Sequence, residues 1–183
     1  MKQKITVREM ALIAVMAAVT CVLGPLSIPI GPVPISFTNL AVYLAIYVLG
    51  CRRGTVSYLV YLLIGLAGVP VFSGFTGGVG KLFGPTGGYL IGFLFMALVC
   101  GWAIDRFDCA IVPSVVGMVL GTAVCYVFGT AWLALQAHLT FYAALALGVL
   151  PFLAGDAAKI AVAACVGPQL RRRLVQAGLG HQR

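Results

Sequence analysis

Long apolar stretches follow one another along this sequence with only short interruptions between them. These stretches occupy residues 8–24, 36–51, 54–69, 86–105, 111–136 and 144–169. A helix that crosses a membrane needs about 20 predominantly apolar residues. Only 9% of the 183 residues are charged, whereas a soluble domain carries roughly 25%. The pattern predicts an all-α integral membrane protein, a single domain over residues 1–183 built as a bundle of six transmembrane helices.

The basic residues predict which way this bundle faces. Of the twelve Lys and Arg residues, ten lie in the two tails and in turns near residues 52–53 and 105–110. The loops on the opposite side are 25–35, 70–85 and 137–143. These loops carry only Lys81, to which we assign no role. Because cytoplasmic loops carry an excess of Lys and Arg, we predict that both termini are cytoplasmic. The net charge of +8 then reflects topology, and nucleic-acid binding is not expected.

Two loops on the predicted outer side are unusually apolar. Residues 25–35 read PLSIPIGPVPI, with four prolines that exclude a helix. Residues 70–85 read PVFSGFTGGVGKLFGP. Irregular apolar backbone cannot face lipid, because its N–H and C=O groups would stay unpaired there. We therefore expect the Pro-rich and Gly-rich loops to lie over an outward-facing pocket; the alternative is an ordinary pair of connectors at the membrane surface.

Two charged residues interrupt the last apolar stretch. Asp156 and Lys159 are three residues apart and so share one face of a helix. Each charge at mid-membrane costs about 2.5–3.5 kcal/mol, so such residues face a bundle interior or a cavity. In an unbroken helix Asp156 lies about 16 Å below the outer end near Leu145. We expect Lys159 to offer a cation to a ligand carboxylate and Asp156 to accept from N–H donors; the alternative is a structural ion pair.

Small residues recur at helical spacing in three of the stretches. The glycines concerned are Gly84, Gly88, Gly92, Gly117 and Gly121. Because small residues let membrane helices approach closely, we predict tight packing of the fourth helix on the fifth. Ala11, Ala14 and Ala18 form a smooth strip on the first helix. This strip predicts a docking surface for another helix, either within this chain or on another subunit.

Motifs for catalysis are missing from this sequence. The stretch GGVGKL resembles a phosphate-binding P-loop, but Phe75 stands where its first Gly should be and Leu82 where Ser or Thr should be. The six cysteines form no C-x-x-C pair, which argues against a zinc site or a disulfide. We therefore expect no ATPase or other enzyme activity, and neither a cofactor nor a metal ion. A membrane enzyme is the disfavoured alternative.

Three segments together resemble the BioY family, the biotin-specific S components of energy-coupling-factor (ECF) transporters. They are GPVPISFTNLAVYLA, the loop PVFSG-x-TGG-x-G-x-LFGPTGGYLIGF and the late GD-x-x-K. The resemblance implies a six-helix bundle in a prokaryotic cell membrane that captures biotin near its outer face. It also implies three partner subunits, namely a membrane coupling protein and two cytoplasmic ATPases that energise uptake.

The resemblance further implies roles for individual residues. Asp156 and Lys159 correspond to the polar substrate contacts of the family, and Phe37 and Thr38 border the pocket. The residues in or beside the binding loop are Gly77, Gly78, Gly84, Thr86, Gly87 and Tyr89. The alanine strip corresponds to the surface that docks the coupling protein. Two alternatives stay open, an S component for another vitamin and a stand-alone carrier of small solutes.

Overall fold

The computed structural model describes residues 6–178, which form seven α-helices and one short β-hairpin. The helices are α1 (Val7–Leu23), α2 (Thr38–Leu66), α3 (Gly80–Phe83), α4 (Gly87–Arg106), α5 (Ile111–Gln136), α6 (Phe141–Gly148) and α7 (Leu153–Gln176). The hairpin pairs β1 (Ser27–Ile28) with β2 (Ile35–Ser36) in antiparallel register. Lys2, Lys4 and Arg183, which contribute to the predicted cytoplasmic tails, lie outside the described residues. The fold is mostly helical, as the predicted all-α class requires, and the short hairpin at residues 27–36 is the exception to that prediction.

The fourth and fifth predicted helices pack closely at their glycines. A Cβ atom at Gly92 would lie 3.0 Å from the Cα atom of Cys125, and one at Gly117 would collide with the side chain of Ala103. Gly88 and Gly121 have equally close neighbours across the same interface. The predicted close approach is therefore confirmed for α4 and α5. Gly84 is an exception, since it lies outside α4, which begins at Gly87.

The predicted second and third helices are joined without the turn that was expected between them. The sequence suggested a turn at residues 52–53, but helical backbone runs through Thr38–Leu66 with a single break at Gly50. Gly50 has φ 79° and ψ 176°, a conformation that is essentially restricted to glycine. One glycine is thus enough to redirect the chain without a loop. We call residues 38–49 the first arm of α2 and residues 51–66 its second arm.

The sixth predicted helix, residues 144–169, is wrong as one continuous helix. The structure divides this region into α6 and α7, which are bent by 52° across a short break. Pro151 lies in the break, and proline in a helix interior removes a hydrogen bond and clashes with the preceding turn. Asp156 consequently lies in the first turn of α7. The estimate of 16 Å below Leu145 assumed an unbroken helix and does not hold.

Two helices are long and apolar enough to cross a membrane, namely α4 and α5. The bent pair of α6 and α7 makes a third span if both helices are counted together. α1 has 17 residues, and the break at Gly50 divides α2 into two short arms. The described residues therefore hold two to three apolar spans by length and composition.

The bundle has two distinct ends. The hairpin, the short α3 and the beginnings of α4 and α7 lie at one end, which we call the pocket end. Arg53, Arg106 and Arg171 lie at the other, which we call the arginine end. The first arm of α2 and α7 both run from the pocket end to the arginine end, so these two helices lie parallel.

Candidate ligand-binding site

A cavity opens at the pocket end between the hairpin, the first arm of α2 and helices α4, α5 and α7. Both apolar loops contribute to its lining, through Val33 and Pro34 of one and Ser73 of the other. The α4 side of the cavity is largely apolar, and its residues include Leu90, Phe93 and Met96. The polar groups come mainly from the hairpin, α2, α5 and α7. The cavity therefore has one apolar side and a cluster of polar groups facing it.

Asp156 is the centre of the polar cluster. Its Oδ1 atom accepts hydrogen bonds from Asn39 Nδ2 at 2.7 Å and from Lys159 Nζ at 3.0 Å, and its Oδ2 atom accepts from the Tyr126 hydroxyl at 2.5 Å. Asp156 is only 7% exposed and Lys159 only 8% exposed. A buried charge is tolerated when it is paired and hydrogen-bonded. Donors from α2, α5 and α7 thus converge on one carboxylate.

Lys159 connects α7 with the hairpin. Besides the bond to Asp156, its ammonium group donates to the backbone carbonyl of Ser36 at 2.7 Å. The ring centroid of Phe37 lies 5.9 Å from the same nitrogen. An ammonium group has three N–H donors, and two of them are engaged here. Within residues 6–178, the third donor of Lys159 has no acceptor and can bind a further one.

The position of Asp156 on α7 favours its negative charge. The break between α6 and α7 places the residue in the first turn of a helix, and the N-terminus of a helix carries a partial positive charge. Its own N–H group donates to the carbonyl of Phe152 at 2.7 Å. The helix start and the Lys159 ammonium both stabilise the carboxylate, which explains how a charge is kept in this buried place.

The other predicted site residues divide into two groups. Thr38, Thr86 and Tyr89 line the cavity. The Thr86 hydroxyl is buried and has no hydrogen-bond partner among the described residues, so it can accept or donate to a bound molecule. Phe37 is 41% exposed and lies beside Lys159 outside the lining.

The four predicted glycines shape the loop rather than line the cavity. The N–H group of Gly78 donates to the carbonyl of Gly65 at 2.7 Å, and the carbonyl of Gly84 accepts from Trp132 Nε1 at 2.9 Å. A Cβ atom at Gly77 would collide with the carbonyl of Val69, and one at Gly87 would collide with that of Leu82. These glycines allow the loop backbone to fold tightly beside the cavity. Their contact with a ligand stays a prediction.

Two polar residues of the cluster were not predicted from the sequence, Asn39 and Tyr126. Asn39 is a single amide at the start of an apolar stretch, which is a weak signal. Tyr126 belongs to a clearer pattern, because Thr122, Tyr126 and Thr130 follow one another at intervals of four residues along α5. Residues four apart lie on the same side of a helix, and this spacing would have identified the polar side of α5.

Lys81 does not line the cavity and lies in α3, partly buried. Burial lowers the pKa of its ammonium group below the ordinary lysine value. Its role stays unassigned.

Comparison with known proteins identifies the group to which the chain is related. The BioY family model matches residues 1–176. The biotin transporter BioY2 of Lactococcus lactis subsp. cremoris is 39% identical over 166 residues, which cover 91% of each chain. A probable biotin transporter BioY of Pyrococcus horikoshii is 38% identical over 90% of this chain and 96% of its own length.

A solved structure has the same fold. The S-component for biotin from an ECF-type ABC transporter superposes with a TM-score of 0.85 at 30% identity. The match covers 94% of this chain and 95% of that one. The predicted relationship is confirmed: this chain is a member of the BioY family.

Proposed function

We propose that this chain captures biotin in the cavity at the pocket end, as the membrane-embedded S component of an ECF-type ABC transporter. The observation that carries the proposal is the buried Asp156–Lys159 pair at the wall of an otherwise largely apolar cavity. Ligand pockets of this kind combine apolar walls with a few placed polar groups that orient the ligand. The relatives named as biotin transporters support biotin as that ligand.

The chemistry of biotin suits the groups in this cavity. Biotin has a carboxylate, a ureido group with two N–H donors and a carbonyl, and an apolar thioether ring with an aliphatic tail. We expect Lys159 to contact the more anionic group through its free donor or by exchanging the Ser36 carbonyl for it. We expect Asp156 to accept from an N–H group, while the unpaired Thr86 hydroxyl offers a further hydrogen bond. The ring then packs against the side that includes Leu90 and Phe93.

The remaining predicted residues take supporting parts in this proposal. Phe37, Thr38 and Tyr89 border the ligand, and the Pro-rich and Gly-rich loops cover it from the outside. The glycines that keep the second loop compact beside the cavity are Gly77, Gly78, Gly84 and Gly87. A side chain at Gly77 or Gly87 would collide with the backbone, and Gly78 has a positive φ of 91°, so replacing any of these three would displace the loop and affect binding indirectly.

The orientation in the membrane follows from the charges. We assign the arginine end to the cytoplasm of a prokaryotic cell, because positively charged loops stay on that side. Counting each arm of α2 as one span and the bent α6–α7 pair as another gives six spans, with both termini inside. The short arms span by local thinning of the bilayer.

Energy for uptake comes from partner subunits in this proposal. Ala11, Ala14 and Ala18 are exposed on α1, whereas Ile13, Met16 and Ala17 are buried against the rest of the bundle. Small exposed residues allow another membrane helix to approach closely. We assign this strip to the coupling protein of the transporter, which links the S component to two cytoplasmic ATPases. The chain itself is then not an enzyme.

Equilibrium binding of biotin to the detergent-solubilised chain tests the proposal. We expect tight binding by the parent and a large loss in Asp156→Asn and in Lys159→Ala. Arg53→Gln is the matched control, because it breaks the ion pair with Glu9 at the arginine end, 2.6 Å long, and leaves the cavity intact. A folded parent that binds riboflavin or thiamine but not biotin would point to another vitamin. Equal binding by the parent and both site variants would make the charged pair structural.

A further inference from the structure

Asp105, at the end of α4, joins three helices at the arginine end. Its Oδ2 atom accepts a hydrogen bond at 2.7 Å from the N–H group of Cys51, the first residue of the second arm of α2. Its Oδ1 atom accepts from Arg171 Nη1 of α7 at 3.4 Å. A Cβ atom at Gly50 would lie 3.1 Å from Oδ2, so a glycine at the break lets the carboxylate come this close.

Two of the three helices that carry the polar cluster, α2 and α7, have a weak point near this carboxylate. The first arm of α2 ends at the Gly50 break. α7 contains Pro168, and a proline inside a helix removes one backbone hydrogen bond. The groups held by Asp105, the Cys51 N–H and the Arg171 guanidinium, follow these weak points by one and three residues respectively. One side chain of α4 therefore contacts α2 directly after its break and α7 one turn after its proline.

The two restrained helices lie side by side from this contact to the cavity. Asn39 of α2 contacts Asp156 of α7 at the pocket end. Further along, a Cβ atom at Gly167 would collide with the ring of Tyr47. The hydrogen bonds of Asp105 to Cys51 and Arg171 lie about one helical turn beyond the contact between Tyr47 and Gly167. From Asp156 to Arg171, α7 covers about 22 Å at 1.5 Å per residue, so one interface connects the cavity with the arginine end.

We propose that Asp105 is a positioning residue for ligand binding. Its hydrogen bonds hold α2 and α7 together at the arginine end of their interface. This keeps Asn39 of α2 within hydrogen-bond distance of Asp156 of α7. It touches no ligand, and the part of the inference that concerns affinity rests on the proposed function. Loss of the contact lets both helices bend at their weak points and loosens the polar cluster.

Biotin dissociation rates provide the first test. Because the pair is partly exposed, with side-chain exposures of 17% for Arg171 and 24% for Asp105, we expect Asp105→Asn and Arg171→Gln each to accelerate dissociation by about two- to fivefold. The double variant should be no faster than the faster single variant, since both lose one shared contact. Arg171→Lys keeps the charge and should restore most of the parental rate. Arg53→Gln, in the pair that joins Glu9 of α1 to α2, should leave the rate unchanged.

Backbone hydrogen exchange of the ligand-free protein provides a second test that needs no biotin. We expect Asp105→Asn and Arg171→Gln to speed exchange in residues 153–167 of α7, which include the cluster, and Arg53→Gln to leave this segment unchanged. Faster exchange confined to residues after Pro168, with parental biotin kinetics, would overturn the inference. A parent that binds no biotin would refute the proposed function, and exchange in residues 153–167 would then decide the positioning role by itself.

Discussion

Two carboxylates of this bundle have similar surroundings but different exposure. Asp156 at the pocket end and Asp105 at the arginine end each accept hydrogen bonds from two other helices or segments, and each meets one cation. The Asp156–Lys159 side chains are both 10% exposed and the atoms lie 3.0 Å apart. The Asp105–Arg171 pair is more exposed and its atoms lie 3.4 Å apart.

The difference in exposure decides how much free energy the protein loses when each carboxylate loses its cation. Partly exposed ion pairs are screened by water and contribute about 0.2–1 kcal/mol. A buried charge that loses its partner costs about 3–5 kcal/mol, because it is left uncompensated. Asp156 must therefore keep its partners or exchange them for a ligand. Asp105 can only adjust the geometry of the helices it joins.

The largest expected effect comes from removing the cation beside Asp156. Lys159→Met leaves a buried carboxylate without its partner, so we expect the free energy of unfolding to fall by about 3–5 kcal/mol. The variant also lacks the ammonium group proposed to contact the ligand, so we expect biotin affinity, measured by titration calorimetry, to fall by at least about tenfold. A change in affinity of less than tenfold would show that removing a partner from the buried pair costs no more than removing one from the partly exposed pair.

Removing one neutral donor should have a smaller effect. Tyr126→Phe deletes the hydroxyl that donates to Asp156 Oδ2, and a hydrogen bond to a charged group contributes about 1.5–3 kcal/mol. Because this bond is present without a ligand, we expect its loss to lower the free energy of unfolding by about this amount, and to lower biotin affinity in the same titration by less than Lys159→Met does.

Tyr58→Phe is the matched control for this substitution. The Tyr58 hydroxyl donates to the carbonyl of Leu90 and does not line the cavity. The control should lower thermal stability while biotin affinity stays near the parental value. Equal loss of affinity in both variants would mean that any buried tyrosine hydroxyl supports binding. The hydrogen bond to Asp156 would then have no particular role in binding.

The α2–α7 interface extends from Asp156 to the contact around Asp105, and a substitution at its centre can disturb it. Gly167→Ala forces a Cβ atom against the Tyr47 ring, and added volume in a packed interior costs about 1–3 kcal/mol. Gly155→Ala is the control on the same helix, since nothing lies within 4 Å of a Cβ atom there. We expect the melting temperature to fall in Gly167→Ala only. Similar melting temperatures for both variants would indicate that α7 is not held tightly against α2.

The smallest effect is expected at the Glu9–Arg53 pair. Arg53→Gln breaks a contact of 2.6 Å between side chains that are about one-fifth exposed. We expect it to reduce the free energy of unfolding by about 0.2–1 kcal/mol, and less at high salt. Chemical denaturation at low and high salt measures this change. A loss as large as that in Lys159→Met would mean that the more exposed ion pair at the arginine end stabilises the protein as much as the buried pair at the pocket end does.

Much of the fold could be predicted from the sequence, because hydropathy and glycine spacing are local signals. The boundaries of α5 and the glycine contacts between α4 and α5 follow directly from these patterns. The Gly50 break and the bend before α7 could not be predicted in the same way. Each depends on one residue, Gly50 or Pro151, rather than on a pattern that repeats along the sequence.

The candidate site was predictable in its charges and less so in its neutral partners. Asp156 and Lys159 are conspicuous because charges are rare in apolar stretches. Asn39 lies 117 residues from Asp156 in sequence, so no local pattern relates the two. The glycines of the second loop make backbone contacts that keep the loop compact, and their contact with a ligand stays a prediction.

The ion pair between Asp156 and Lys159 also has a consequence for the biogenesis of the protein. Its two residues are three positions apart in one helix, so the pair needs no other helix in order to form. Two separate charges would each oppose entry of this segment into the bilayer by about 2.5–3.5 kcal/mol. A pair that closes within one helix is a neutral dipole, so it opposes entry of this segment less than two separate charges would. The most polar part of the pocket is therefore compatible with ordinary insertion of the last segment of the chain.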